Sequence, residues 1–275
     1  MLHFAVAGVP HSTKSPGGTI EGLKRAHELG ITAMELEWVQ RVPLNPDRMM
    51  AIRTVSEQLG MYLTIHAPYY VNLNSAKPET FDASKKRILD ALTMAELAGA
   101  HSVCVHAAFN HADPPEKVYD RIRGATESML KLKSRLFPSV NLAYETMGKQ
   151  SQFGTLEEVL KISKEFDLYP TLDPAHLHAR YNGKINSTEE WNEMFDMYES
   201  YLGKKSLQSM HMHFSGIAYG PKGERHHLEL EKSDAKWKDF LTVLKKRKIG
   251  GTLVCESPIL EEDTLRMKNF FLELA

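Results

Sequence analysis

Cysteine is nearly absent from this 275-residue chain, Cys104 and Cys255 being the only two. No disulfide framework or Cys-rich zinc motif can be built from them, and both sit in apolar runs, SVCVH and TLVCES, where a small buried thiol is the ordinary occupant. An excess of one charge sign is missing too. Lys and Arg total 34 against 35 Asp and Glu, so no global basic field marks a nucleic-acid partner, although a local basic patch stays compatible with one. No apolar stretch is long enough to span a bilayer. The opening MLHFAVAGVPHSTK brings His, Pro and Lys too early for the apolar core of a secretory leader. These absences lead us to expect a protein of the cytoplasm with no membrane contact, and a monomer is taken as its expected state. Linkers, charge blocks and low-complexity segments are also lacking, so nothing divides the chain. One domain over residues 1–275 is expected, because α/β barrels of about 250 residues fold as single domains.

What is present is alternation. Short runs rich in Val, Ile, Leu and Tyr (HFAVAGV, AMELEWV, YLTIHAP, SVCVHAA, NLAYETM, LYPTLDP, LQSMHMH and GTLVCES) read as strands. Between them lie stretches such as TIEGLKRAHELG, ASKKRILDALTMAELAGA and LEEVLKISKEF, with apolar residues at three- and four-residue steps. Helix starts are marked by Pro, Ser, Thr or Asp beside acidic residues, as in NPDR, KPET, DPPEK and STEE. Repeated βα units of this kind close into a (β/α)₈ TIM barrel, whose strand C-termini meet at one face.

At those C-termini the sequence concentrates groups that bind divalent cations. His66 ends YLTIH and His106 ends SVCVH, so two strands would each present an imidazole at the same rim. One such His is ordinarily a satisfied core residue; two at equivalent positions point to a site. Glu145 in NLAYETM, Asp173 in PTLDPAH and Glu256 in TLVCES are carboxylates closing apolar strands, where an unpaired charge is costly and a cation or Arg must answer it. The DPAH turn offers Asp173 and His176 together. MHMH places His211 and His213 on one strand face, and GERHH, read as a loop, offers Glu224 and His226 on one side of an extended segment. Loop cations Lys14, Lys77, Lys149, Arg180, Lys222 and Arg225 could hold phosphates locally.

In this order the residues resemble the endonuclease IV family of apurinic/apyrimidinic endonucleases, within the wider xylose-isomerase-like barrels, over nearly the whole chain. HAPYYVNL from His66, His106, Glu145-Thr146, DPAH, MHMHFSG followed by ERHH, and ESP at Glu256 carry the likeness. The resemblance implies about three zinc ions, with manganese an alternative at one site. His66, His106 and Glu145 would hold the first, Glu145, Asp173, His211 and Glu256 the second, and His176, Glu224 and His226 the third. It further implies catalytic roles for Glu145 and Glu256, DNA contacts by Tyr69 and Arg41, and hydrolysis of duplex DNA 5′ to abasic sites. The chain departs from the family at Glu224, where the family has Asp, at Ala107-Ala108, where it has Pro-Gly, and at His213-Phe214, where it has Asn-Asp. A sugar isomerase or epimerase of the same superfamily is the rival reading. There a set resembling Glu145, Asp173, His211 and Glu256 serves one metal and leaves the other donors without a task.

Overall fold

The eight apolar runs become eight parallel strands, and the chain order of βα units decides how they neighbour one another. A computed structural model describes residues 1–274. Strands β1 (Leu2–Ala7), β2 (Ala33–Glu37), β3 (Tyr62–His66), β4 (Ser102–Val105), β5 (Asn141–Tyr144), β6 (Thr171–Leu172) and β7 (Met210–Phe214) are followed by a hairpin, β8 (Gly216–Gly220) and β9 (Gly223–Leu228), and then by β10 (Gly251–Cys255). The sheet runs β5-β4-β3-β2-β1-β10-β7-β6. A parallel bridge between Glu145 and Thr171 joins its two edges, and the Thr146 N–H donates to the Thr171 carbonyl at 3.1 Å. This is the α/β TIM barrel that the alternation predicts. β6 is only two residues long because Pro170 has no N–H to give to a ladder and Pro174 already opens a helix.

Helices α1 (Thr19–Glu28), α2 (Pro46–Leu59), α3 (Pro78–Ala98), α4 (Pro115–Leu130), α5 (Lys133–Leu136), α6 (Leu156–Phe166), α7 (Pro174–Arg180), α8 (Thr188–Leu202), α9 (Trp237–Lys246) and α10 (Glu261–Glu273) connect the strands. Their starts follow local chemistry. Pro stands at the first helical positions of α2, α3, α4 and α7, where its missing N–H costs nothing. Thr155 with Glu158 and Ser187 with Glu190 form reciprocal capping boxes for α6 and α8. Apolar stripes such as Phe240, Leu241 and Leu244 on α9 are fully buried against the strands. Among the described residues no helix is long and apolar enough to cross a membrane.

The barrel interior is polar where most barrels are aliphatic. Glu35, Thr64, His66, Ser102, Glu145, Thr171, His211, His213 and Thr252 are all buried. Buried polar groups in this number must answer one another or a ligand, and the fold stacks them in layers along the strands.

Candidate metal centre

Each donor reaches the C-terminal face by a local cause. His66 is the last residue of β3, and His106, Glu145, Asp173 and Glu256 follow β4, β5, β6 and β10 directly. Asp173 is also the N-cap of α7: its Oδ1 accepts from the His176 backbone N–H at 2.9 Å, and this cap fixes His176 in the first turn beside it. Glu224 and His227 come from β9. His66, His106, His176, Glu224, His227 and Glu256 line a cleft of about 420 Å³, whose walls add Tyr69, Phe109, Met147, Lys149, Gln152 and Arg225, while Glu145 and Asp173 are fully buried.

Glu145 is the hub. Its Oε2 lies 2.8 Å from His106 Nε2 and 3.7 Å from His66 Nε2, while its Oε1 lies 3.2 Å from His176 Nδ1 and 3.1 Å from His213 Nδ1. His213 Nδ1 is also 3.4 Å from Glu256 Oε2, and His176 Nε2 is 3.6 Å from Glu224 Oε2. Three groupings bring ligating atoms within 4.8 Å of one another at this face: His66, Cys104 and Glu145; Glu145, Asp173, His176 and Glu256; and His176, Glu224 and His227.

These residues fit divalent cations on two observations. The first is that the second ring nitrogen of several imidazoles is already engaged, as in metal sites generally. His66 Nδ1 meets the Ala67 carbonyl at 2.8 Å, His176 Nδ1 the Thr146 carbonyl at 3.0 Å, and His227 Nδ1 the Ser215 hydroxyl at 2.6 Å. Each leaves Nε2 free to act as a donor atom. The second is that His106 Nε2, His176 Nε2, Asp173 Oδ2 and Glu256 Oε2 are buried without a hydrogen-bond partner. His106 Nε2 and Glu145 Oε2 are close but off the hydrogen-bond axis, so their lone pairs converge on shared space rather than on each other. Unmet polar atoms are costly in a buried site, and cations would satisfy them together.

Electrostatics agree with a site waiting for positive charge. Burial alone would raise the Glu145 carboxyl, but the His106 and His213 rings hold it well below the carboxylate range. Burial would likewise lower His176, yet Asp173 and Glu145 lift it well above the ordinary imidazole value. Burial pushes Glu37 up to about 8 despite the neighbouring His66.

Several expected donors sit elsewhere. On β7 both histidines face inward, but His213 meets Glu145 and Glu256, whereas His211 lies one layer deeper, bonded to Ser102, Thr171 and Glu35. Two residues of strand correspond to about 6–7 Å, enough to take His211 out of the cleft. On β9 the grouping contains His227 and not His226, which is exposed on the cleft rim. GERHH is a strand rather than a loop, and the pairing explains the change: Tyr219 pairs with Glu224 but Ala218 with His226. Arg225 is thus an extra, bulged residue, so Glu224 and His227, three apart, share a side. Tyr69 lies at the cleft with its ring 5.1 Å from His66 and 5.2 Å from His106. Arg41 is exposed and does not line the cleft. Arg180 is buried and donates to the Met147, Lys149 and Gln152 carbonyls, bracing the loop after β5 instead of offering a free charge. Cys104 and Cys255 are buried free thiols, Cys104 donating to Glu145 Oε2 at 3.1 Å. Sequence reasoning missed Glu35 and Glu37. The alternation Glu-Leu-Glu in β2 was the available signal, since it sets both carboxylates on one face.

A family model described as xylose isomerase-like TIM barrel matches residues 23–273. An uncharacterized protein of Methanocaldococcus jannaschii is 34% identical over 274 residues, covering 100% of this chain and 98% of its own. A protein of Aquifex aeolicus named as a probable endonuclease 4 is 23% identical over 223 residues, 77% of this chain and 78% of its own. Among solved structures, endonuclease IV from Thermus thermophilus superposes with a TM-score of 0.76 at 22% identity, covering 98% of this chain and 99% of that one. A D-tagatose 3-epimerase-like protein superposes with a TM-score of 0.68 at 17% identity, covering 98% and 97%. At these identities the solved structures speak for the fold alone.

Proposed function

The chain belongs to the xylose isomerase-like TIM barrel family, and from that premise we propose that it is a metal-dependent endonuclease that hydrolyses duplex DNA 5′ to abasic sites. The observation that carries this reading is the number of donors. His66, His106, Glu145, Asp173, His176, His213, Glu224, His227 and Glu256 gather around one cleft in groupings that share Glu145 or His176. A single zinc ion takes about four such ligands, so nine suit a multinuclear centre of the kind that brackets a phosphodiester.

In this reading His66, His106 and Glu145 hold one cation, Glu145, Asp173, His213 and Glu256 a second, and His176, Glu224 and His227 a third, zinc being the natural occupant. The bound ions supply Lewis acidity and make water a nucleophile near neutral pH. The chain's own residues do the positioning. Glu145 uses one oxygen toward each half of the centre. Glu256 Oε2 is buried without a hydrogen-bond partner and orients the attacking water through its proton. Lys149 and Arg225 on the cleft wall contact phosphates, and the half-exposed ring of Tyr69 fills the space left by the missing base, which flips out at low cost.

The set Glu145, Asp173, His213 and Glu256 alone favours a second reading, isomerisation or epimerisation of a sugar at one metal ion. It leaves His66, His106, Glu224 and His227 without a purpose. Metal counting together with nicking of an abasic-site duplex separates the two. About three divalent ions and a nick leaving a 3′-hydroxyl that a polymerase extends are expected. One ion per chain with interconversion of a ketose, and no nicking, would replace the nuclease by the isomerase.

A further inference from the structure

The grouping of His176, Glu224 and His227 is divided between two elements that share no ladder, His176 standing on α7 and the other two on β9. Something must set the gap between them. The candidate lies on the far side of α7. His178 follows His176 by two residues, about 200° around a helix, and does not line the cleft. Its Nε2 lies 3.1 Å from Asp234 Oδ1, and the Tyr219 hydroxyl donates to Asp234 Oδ2 at 2.7 Å. One carboxylate, placed between β9 and α9, thus joins α7 to β8. Tyr219 stands opposite Glu224 across the hairpin, so the arm that it closes ends one strand away from a donor.

The apolar contact between the same elements cannot set that spacing. Ala175, Ala179 and Ile217 form a small buried patch with Tyr219 against it, and apolar attraction has no direction. Hydrogen bonds do. Asp234 is held in turn: Asn186 Nδ2 donates to its carbonyl at 2.8 Å, and the Ile217 N–H donates to the neighbouring Ser233 Oγ at 3.0 Å. The Tyr219 ring stands edge-on to His178 at 5.0 Å, and it fits so closely over Gly183 that a Cβ there would come within 2.6 Å of the hydroxyl oxygen. Asp234 itself has 57% of its side chain open to solvent. It adds little to the core, so its part is read from what it joins.

We infer that Asp234, through Tyr219 and His178, is a positioning residue for the cation held by His176, Glu224 and His227, clasping the hairpin to α7 and so setting the spacing of the donors that each supplies. The inference rests on the metal-centre reading above.

Asp234→Ala opens the clasp without touching a donor atom. In chelator competition with zinc alone, the folded variant should lose about 10-fold or more in affinity for one ion, the lower end of what outer-shell partners contribute, while the others are unchanged. The ion affected should be the one lost in Glu224→Gln. Asp234→Asn should restore most of the affinity, because its amide accepts from His178 through oxygen and donates to the Tyr219 oxygen through nitrogen. Tyr219→Phe keeps the ring over Gly183 and removes only the hydroxyl, so it carries the test if Asp234→Ala does not fold. Unaltered zinc affinity in the folded variant, an equal loss at every ion, or no recovery in Asp234→Asn overturns the inference and leaves the metal centre standing. A wild type that binds no ion at His176, Glu224 and His227 removes both.

Discussion

Gly223 is the residue on which the hairpin's contribution to the centre depends, and Gly223→Ala is the sharpest test of it. Its φ is +91°, and a Cβ there would stand 2.1 Å from the Gly148 carbonyl oxygen, 0.9 Å inside the 3.0 Å that such contacts respect. The same carbonyl accepts the Glu224 N–H at 3.0 Å, so relief of the clash lifts the strand that carries Glu224 and His227. The conformational cost is about 1–3 kcal/mol, a melting shift on the order of 2–10 °C for a chain of this size. A displacement near 1 Å at reacting groups costs about 10² in rate, and the ion held by His176, Glu224 and His227 should weaken correspondingly. Gly60→Ala is the control: it has φ +63° with open space around the new Cβ, so it takes a conformational cost without moving the hairpin. Calorimetry, chelator competition with zinc and cleavage of an abasic duplex would be run on both variants. Both should melt earlier and only Gly223→Ala should lose zinc. If Gly223→Ala binds every ion as the wild type does, the hairpin is not part of the centre.

Four further outcomes follow from the same geometry. Glu256→Gln keeps the shape of the cleft wall but removes its charge, so abasic-DNA binding should persist while single-turnover cleavage falls by on the order of 10²; near-normal cleavage by the metal-loaded variant refutes the role. Burial would raise the Glu261 carboxyl, but the His11 and Ser12 backbone N–H groups it accepts at 2.9 and 2.8 Å hold it below its ordinary 4.5. A depressed folded-state value means stability present above 4.5 and lost as pH falls through the lower value, so the melting gap between wild type and Glu261→Gln should be full at neutral pH and shrink below 4.5; a gap that is constant with pH contradicts this. Gly124, exposed within α4 with no atom near a new Cβ, should gain about 0.5–1 kcal/mol as Ala with no change in zinc binding, read by urea unfolding. Stripping divalent ions with chelator should lower the melting temperature and zinc should restore it, since a ligand bound only by the folded state stabilises by mass action; identical melts with and without zinc count against the metal centre.

Much of the candidate site was legible because strand ends are easy to find. His66, His106, Glu145, Asp173 and Glu256 each close an apolar run, and the barrel carries every such end to one face. The two misplacements on strands share one cause: a sequence pattern gives a side, not a depth or a register. His211 and His213 satisfy the same alternation, and only the layer each occupies separates the ring beside Glu145 and Glu256 from the ring below it. His226 and His227 differ by a bulge at Arg225 that reverses the alternation, and nothing in Gly-Glu-Arg-His-His announces it. Glu35 and Glu37 were missed for a different reason. A carboxylate inside a strand reads as a solvent-facing position of a half-buried strand until it is known that both faces of β2 are covered.

The hairpin bears on which chemistry this barrel carries. The barrel strands and the residues that follow them provide Glu145, Asp173, His213 and Glu256, a set sufficient for one cation. His66 and His106 extend the set on one side. Glu224 and His227 extend it on the other, and they come from β9, which with β8 lies outside the barrel sheet. The hairpin is docked against the loop after β5 by the Lys149–Gly223 bridge and the approach of Gly223 to Gly148, while Arg180 braces that loop from beneath. A segment so firmly seated beside the cleft adds little to a mononuclear centre and much to a multinuclear one. The choice between sugar and phosphodiester chemistry therefore turns on these few residues rather than on the barrel, and Gly223, Glu224 and His227 are where the two readings part.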